Sequence, residues 1–232
     1  MKRNVSLEEI SDGRLYSRND MVRAGCGDCR GCSSCCSGMG NSVILDPYDL
    51  YRLTVEMGST FEELMQGRIE LNVVDGVILP NLSMSSGTET CAFLNEQGRC
   101  SIHRYRPGIC RLFPLGRYYP TGSAHEAGTK RGFQYFLQIH ECPAPNKTKV
   151  KVEKWMDTPQ LARYEQFVCD WHYFLEAVET RIAGESDDSV VKNINLFLLK
   201  LFYIMPYQKT DFYAQFEARL AQAKEVLELR EV

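Results

Sequence analysis

The chain has 232 residues, 44% hydrophobic and 25% charged, with a formal charge of −3 and ten cysteines. That length and balance are enough for one buried core, or one domain with an extension, in an ordinary globular protein. A net acidic chain has no global electrostatic reason to bind nucleic acid or an anionic membrane, so any basic feature has to be local.

The first ten residues, MKRNVSLEEI, carry two acids and no uninterrupted apolar core. A secretory signal of the usual three-part form is not expected, and a cytoplasmic chain is. "SLEE" at Ser6 predicts a capping box opening a short helix. The stretch that follows, "CGDCRGCSSCC", sets Cys26, Cys29, Cys32 and Cys35 at steps of three and adds Cys36 with no spacer. Thiols in a cytoplasmic chain are expected to stay reduced, which argues against a disulfide knot. A thioredoxin-type dithiol needs one C-x-x-C at the head of a helix after a strand, whereas here the motif is repeated among Gly, Ser and Asp. Metal is the remaining reading, since the chain between the ligands of C-x2-C curls into a knuckle that aims both sulfurs at one centre. The run matches the C-x2-C-x2-C of bacterial ferredoxins as well as it matches zinc knuckles, so spacing alone does not name the metal.

"DPYD" at Asp46 predicts an N-cap with Pro at the first helical position, and Gly58 the end of that helix. "IELNVVDGVILP" reads as a hairpin turning at Asp75-Gly76, and "CAFLNEQGRCSIH" as a second one turning through Asn95 to Gly98, with Cys91 and Cys100 at its open ends. "RYRPGICRLFP" predicts a helical turn starting at Pro107, containing Cys110 and stopped by Pro114. "FQYFLQI" alternates Phe133, Tyr135, Leu137 and Ile139 as a strand with one buried face, leading to Cys142-Pro143.

From Thr158 the texture turns helical. Pro159 opens a helix in which Leu161, Tyr164, Val168, Trp171, Leu175, Val178 and Ile182 recur at steps of three and four, until Gly184. Two more helices, about 189–205 and 211–228, flank Pro206. The apolar run "INLFLLKLFYIMP" from Ile194 is interrupted by Asn195 and Lys200, short of the ~20 apolar residues of a membrane span. The expected fold is α+β. A cysteine-cluster metal-binding region over residues 1–157, with loop-rich knuckle, short hairpins and short helices, is followed by a mainly helical extension over 158–232 packed on it as one compact unit.

Cys29-x2-Cys32-x2-Cys35-Cys36, "CAFL", "GRCSIHRYRPGICRLFPLG", "HECP" and "VEKWMDTPQLARYEQF" together resemble the CxxCxxCC cysteine-cluster family of the YkgJ type, a zinc- or iron-chelating domain, from about Cys29 to Tyr173. The resemblance implies chelation by Cys29, Cys32, Cys35, Cys36, Cys91, Cys100, Cys110 and Cys142. A similar motif in bacterial flagellin lysine N-methylases is linked to an iron–sulfur cluster. Cys26 departs from the pattern as an extra upstream thiol, and "CPA" stands where many relatives carry Cys-Pro-Gly.

Other residues read more plainly. Cys169 lies one position off the helical stripe and reads as a small buried hydrophobe; Trp155 and Trp171 read as core, and Asp187-Asp188 as a helix N-cap. His103 stands at C-x2-H from Cys100, and we read it as a hydrogen-bonded structural histidine, with zinc ligation the alternative. From Arg99 to Arg117 there are five arginines and no acid. Arg106 and Arg111, embedded in the ligand motif, are read as cofactor-binding groups that compensate a negatively charged thiolate centre. An anionic-substrate or RNA patch is the alternative, and the sparse aromatic interleaving speaks against RNA.

Three functional classes follow. The favoured one is an iron–sulfur protein, [4Fe–4S] type, with a redox or electron-transfer role. The second is a zinc-stabilised scaffold or interaction module. The third, by analogy alone, is a protein lysine methyl-transfer enzyme, although no G-x-G-type nucleotide loop is present. Metal ions are the expected partners, with no nucleic acid and no membrane. Neighbours in extended backbone point to opposite sides, so Cys35 and Cys36 are expected to serve two different metal centres.

Overall fold

The computed structural model describes residues 6–27, 32–120 and 132–229. Cys29 lies outside them. The fold is α+β as expected, with short strands in small sheets and a helical C-terminal region.

A single helical turn α1 (Leu7–Ile10) leads into β1 (Ser11–Tyr16) and β2 (Met21–Gly25). Ser6 holds the N-cap position, but its side chain makes no capping hydrogen bond; the turn is cut short because Ser11 already pairs in a sheet. Cys36 closes a 3-10 turn, Ser34–Cys36. In α2 (Pro47–Tyr51) the expected cap forms in full, Asp46 accepting from the Asp49 amide and Asp49 from the Asp46 amide; the helix continues as a π-turn over Arg52–Glu56 and stops at Gly58, whose φ is 87°. After α3 (Phe61–Met65) comes the predicted hairpin, β3 (Ile69–Val74) and β4 (Val77–Leu82), in full register about Asp75 and Gly76, with φ of 50° and 84°. Two positive φ values are what a two-residue hairpin turn requires.

The second predicted hairpin is a turn without strands. Asn95 accepts from the amides of Gln97 and Arg99, but only isolated bridges flank it, Leu94 with Cys100 and Met84 with Cys91. The Leu94 amide bonds back to the Cys91 carbonyl, so the chain curls before a ladder can extend. Next come α4 (Gly108–Leu112), bounded by Pro107 and Pro114 as read, and β5 (Leu115–Tyr118). The strand expected around Tyr135 is β6 (Gln134–Gln138), yet its one-faced alternation fails: Tyr135 and Phe136 are both buried. It is the central strand of the antiparallel sheet β1-β6-β5 and is covered on both faces. Tyr135 reaches Glu165 on one side, and the Phe136 ring lies over Gly116 on the other, where a Cβ would meet it at 2.2 Å.

β7 (Thr148–Lys151) pairs with β2 and runs into α5 (Val152–Met156). The long helix is α6 (Leu161–Ala183), capped by Gly184; the buried stripe is as read except that Phe167 joins it and Phe174 is buried in place of half-buried Leu175, the Phe174 ring packing on Trp171 and Phe202. Cys169 is buried in α6, and Asp187 caps α7 (Asp188–Leu199) through the Ser189 amide. The next helix, α8 (Phe212–Val226), follows a π-turn, Lys200–Ile204. Buried Arg219 donates to the carbonyls of Leu201, Met205 and Pro206 and so satisfies the end of that turn. One contiguous core joins the α6–α8 aromatics to the β3–β4 leucines and to Cys91. Among the described residues no helix is long and apolar enough to cross a membrane.

Candidate metal centre

The end of β4 is the foundation of the site. Beyond it the Ala92 amide donates to the Ser83 carbonyl (3.0 Å), the Cys91 amide to the Cys36 carbonyl (2.7 Å), and the Gly38 amide to the Glu89 carbonyl (2.8 Å). These bonds lay the knuckle alongside Cys91, and the Leu94–Cys100 bridge folds Cys100 back beside it. Asp49 anchors the fourth segment, its Oδ1 accepting from the Gly108 amide at 2.7 Å at the head of α4. Gly108 is required there by close approach: a Cβ would stand 1.9 Å from the Tyr164 hydroxyl oxygen.

The segments enclose a cavity of about 780 Å³. Cys35, Cys36, Cys91, Cys100 and Cys110 line it, and the charge of Cys35 bears on each of the other four. Cys26 and Cys32 also line it. Cys142 does not; it sits in the loop after β6, where its carbonyl accepts from Lys147 Nζ at 2.6 Å. Among the described residues no three donors already surround a single point as they would one ion.

Cys35 and Cys36 are not in the extended backbone that the expectation of two separate centres assumed: a 3-10 turn holds them, and both line one cavity. Interaction with the Cys36 thiol, helped by the Arg106 guanidinium, lowers the Cys35 thiol to about 7. The same interaction and burial hold Cys36 well above the ordinary thiol value. Burial also raises Cys91, Cys100 and, most strongly, Cys110. A cation bound among them would oppose these rises, since thiolates are its ligands.

The two arginines singled out in the motif part company. Arg106 lines the cavity and its charge acts on Cys35 and Cys100. Arg111 is buried behind the wall and donates to the carbonyls of Arg104 (2.5 Å), Arg106 (3.1 Å) and Asp157. It ties the loop to α4 and α5 without reaching the thiols. His103 stands on the wall in contact with Arg106. Trp155, half-buried, lines the cavity with its Nε1 donating to the Phe113 carbonyl (3.2 Å), while Trp171 is buried in the helical core.

Sequence reasoning gave Asp49 no role beyond its cap and passed over Arg68, Lys149 and Lys154. The Arg68 charge acts on Cys91, and both lysines line the cavity. Nothing local marks the lysines; the β2–β7 pairing carries them there.

Among the described residues the donors on this wall are mostly thiols, with Asp157 the one carboxylate and His103 the one imidazole beside them, a set that suits zinc or iron–sulfur and disfavours hard cations. The model of the CxxCxxCC family, described as a "putative zinc- or iron-chelating domain", matches residues 28–156. The chain belongs to that family. No curated protein and no solved structure matches it.

Proposed function

We propose that this member of the CxxCxxCC family holds one iron–sulfur centre of the [4Fe–4S] type in the cysteine cavity. The observation that carries the reading is the set of five thiols, Cys35, Cys36, Cys91, Cys100 and Cys110, that line one open volume of about 780 Å³ and, among the described residues, are not drawn to a point. A polynuclear cluster meets its ligands at its corners and suits such an arrangement. Cys32 on the wall and Cys29 in the same motif complete the knuckle's share, with Cys142 the remaining family-pattern thiol. When bound, such a cluster supplies one-electron redox chemistry, with a potential set by charge, hydrogen bonding and exposure. The chain's own part is to hold the ligand segments on β4 and α4, to place the Arg106 charge beside Cys35 and Cys100, and to brace that shell through Arg111. Residues 1–157 are then the metal module and the helices after 158 its support.

The test is anaerobic purification followed by iron, zinc and acid-labile sulfide analysis. Brown protein with iron and sulfide in equal amounts is expected. Colourless protein with stoichiometric zinc and no sulfide would reject the cluster and leave a zinc-stapled module.

A further inference from the structure

We propose that the mouth of the cysteine cavity binds a small multivalent oxyanion, a polycarboxylate or a phosphate ester. The inference deepens the metal reading and rests on it in one respect: a thiolate centre occupies the inner wall.

Two segments far apart in sequence supply the cations. Arg99, Arg104 and Arg106 come from the loop between Cys100 and α4 and its approach; Lys149 and Lys154 come from β7 and α5, brought across by the β2–β7 pairing and the packing of α5 on α4. Among the described residues Asp157 is the one carboxylate on the wall. So strong a bias within a chain of net charge −3 is local.

Arg106 touches His103 and Arg104 lies over the Tyr105 ring, but neither contact neutralises a charge. Among the described residues none of the five is in an ion pair, whereas Lys151, between the two lysines, pairs with Glu153 at 3.0 Å. Nor are they all needed by the sulfur. The basic groups whose charge bears most on these thiols are Arg106, on Cys35 and Cys100, and Arg68, on Cys91. Four thiolates on Zn²⁺ or a [4Fe–4S]²⁺ core leave a net charge of about −2. Among the described residues five cations against one carboxylate exceed that, so the mouth stays electropositive with a centre in place and draws anions to itself.

Size and chemistry select the class. The cavity of about 780 Å³ lies inside the ~300–1,000 Å³ range of small-molecule sites before a centre fills its inner part, so what the mouth can admit beside that centre is a small anion. Its wall also carries Trp155 and Phe113, apolar surface for the carbon skeleton of the ligand. Guanidinium groups recognise carboxylate and phosphate bidentately, and lysine adds point charge. Single-stranded RNA is the competing occupant; a concave site with few aromatics favours the small anion.

Isothermal titration calorimetry of the metal-loaded protein with citrate and with pyrophosphate, at constant ionic strength set by chloride, tests the site. Saturable binding of at least one is expected, and which one binds tells carboxylate from phosphate chemistry. In Arg99→Gln and Lys149→Gln binding should weaken roughly tenfold or more for each cation lost, with metal content unchanged. No saturable heat with either anion, equal affinity in both variants, or tighter binding of a uridine decanucleotide that displaces the small anions would each overturn the proposal. Metal analysis of the same samples separates the two readings: protein that lacks metal yet binds anion overturns the cluster, and metal-loaded protein that ignores anions overturns only the anion site.

Discussion

The helices after Gln160 and the loops that carry the thiols hold their shape by different means. In α6, α7 and α8 the contacts are aromatic and dry: Phe167 meets Phe216 at 4.6 Å between ring centroids, Trp171 meets Phe202 at 4.9 Å, and Phe202 is 0% exposed. Between Ser83 and Pro107 there are turns and isolated bridges, and Cys35, Cys36, Cys100 and Cys110 are only partly buried. Burial alone stabilises the first region, since large aromatic side chains removed from water are the strongest apolar contributors available. In the second, four segments converge on a cavity lined with sulfur, and ligand bonds have to supply what apolar contacts do not. The difference teaches where metal dependence should be felt.

Metal removal is the largest expected effect. Structural thiolate sites contribute on the order of 10 kcal/mol or more at neutral pH, well above what a loop of this kind retains otherwise. Chelation under reducing conditions should therefore abolish hydrogen-exchange protection in residues 34–38 and 89–112 while the middle of α6 stays protected. Equal loss in both regions would mean that the comparison is wrong and that the core depends on the metal throughout.

The converse substitution comes next. Phe216→Ala removes a ring that is 1% exposed and in contact with Phe167, and should cost about 3–5 kcal/mol in denaturant unfolding. Metal per folded chain should not change. A variant that lost metal in proportion to stability would show the two regions to be one cooperative unit.

How much of this was legible depends on whether the signal was local. The Asp46 cap, the Asp75-Gly76 turn, the α4 turn and the stripe of α6 are each fixed within a few residues by capping, turn and periodicity rules, and each was readable. The strandless turn at Asn95, the double burial of Tyr135 and Phe136, and the placing of Arg111 behind the wall depend on neighbours remote in sequence. In the site, motif spacing pointed to the cysteine knuckle, but its vicinal geometry was misread because a three-residue turn replaced extended backbone. Lys149, Lys154 and the Asp49–Gly108 bond were invisible for the same long-range reason.

Single thiols sharpen the comparison at smaller scale. Cys110→Ser should lower bound metal severalfold and loosen α4, since the thiol lies on the cavity wall. Cys169→Ser, in a buried position on α6 away from that wall, should leave metal content unchanged and cost about 1–2 kcal/mol for the buried hydroxyl. Elemental analysis and thermal melts of the two variants read this directly. Like behaviour in both would remove the distinction between ligand and packing cysteine.

The smallest effect lies where the two regions meet. Asp49 is buried, and burial lifts its carboxyl from the ordinary 3.8 to about 6, although the amides of Gly108 and Asp46 and the charges of Arg52 and Arg117 pull the other way. Asp46, which shares the cap, is raised by burial and by Asp49, so the pair titrates together. With the folded value above the unfolded one, the native state holds the proton more firmly. The stability this contributes is complete below about 3.8 and is lost as pH rises through about 6. Protonation of metal-binding thiolates has the opposite sign, weakening the fold as pH falls, and would mask the effect in the wild type alone. Asp49→Asn keeps an oxygen to accept from Gly108 but removes the titration, and thiolate protonation is common to both proteins. The stability difference, variant minus wild type, should therefore become more positive between pH 4 and 6 and level off above. A difference that stays flat across that range would show that Asp49 is ionised throughout, its hydrogen bonds and arginines outweighing its burial.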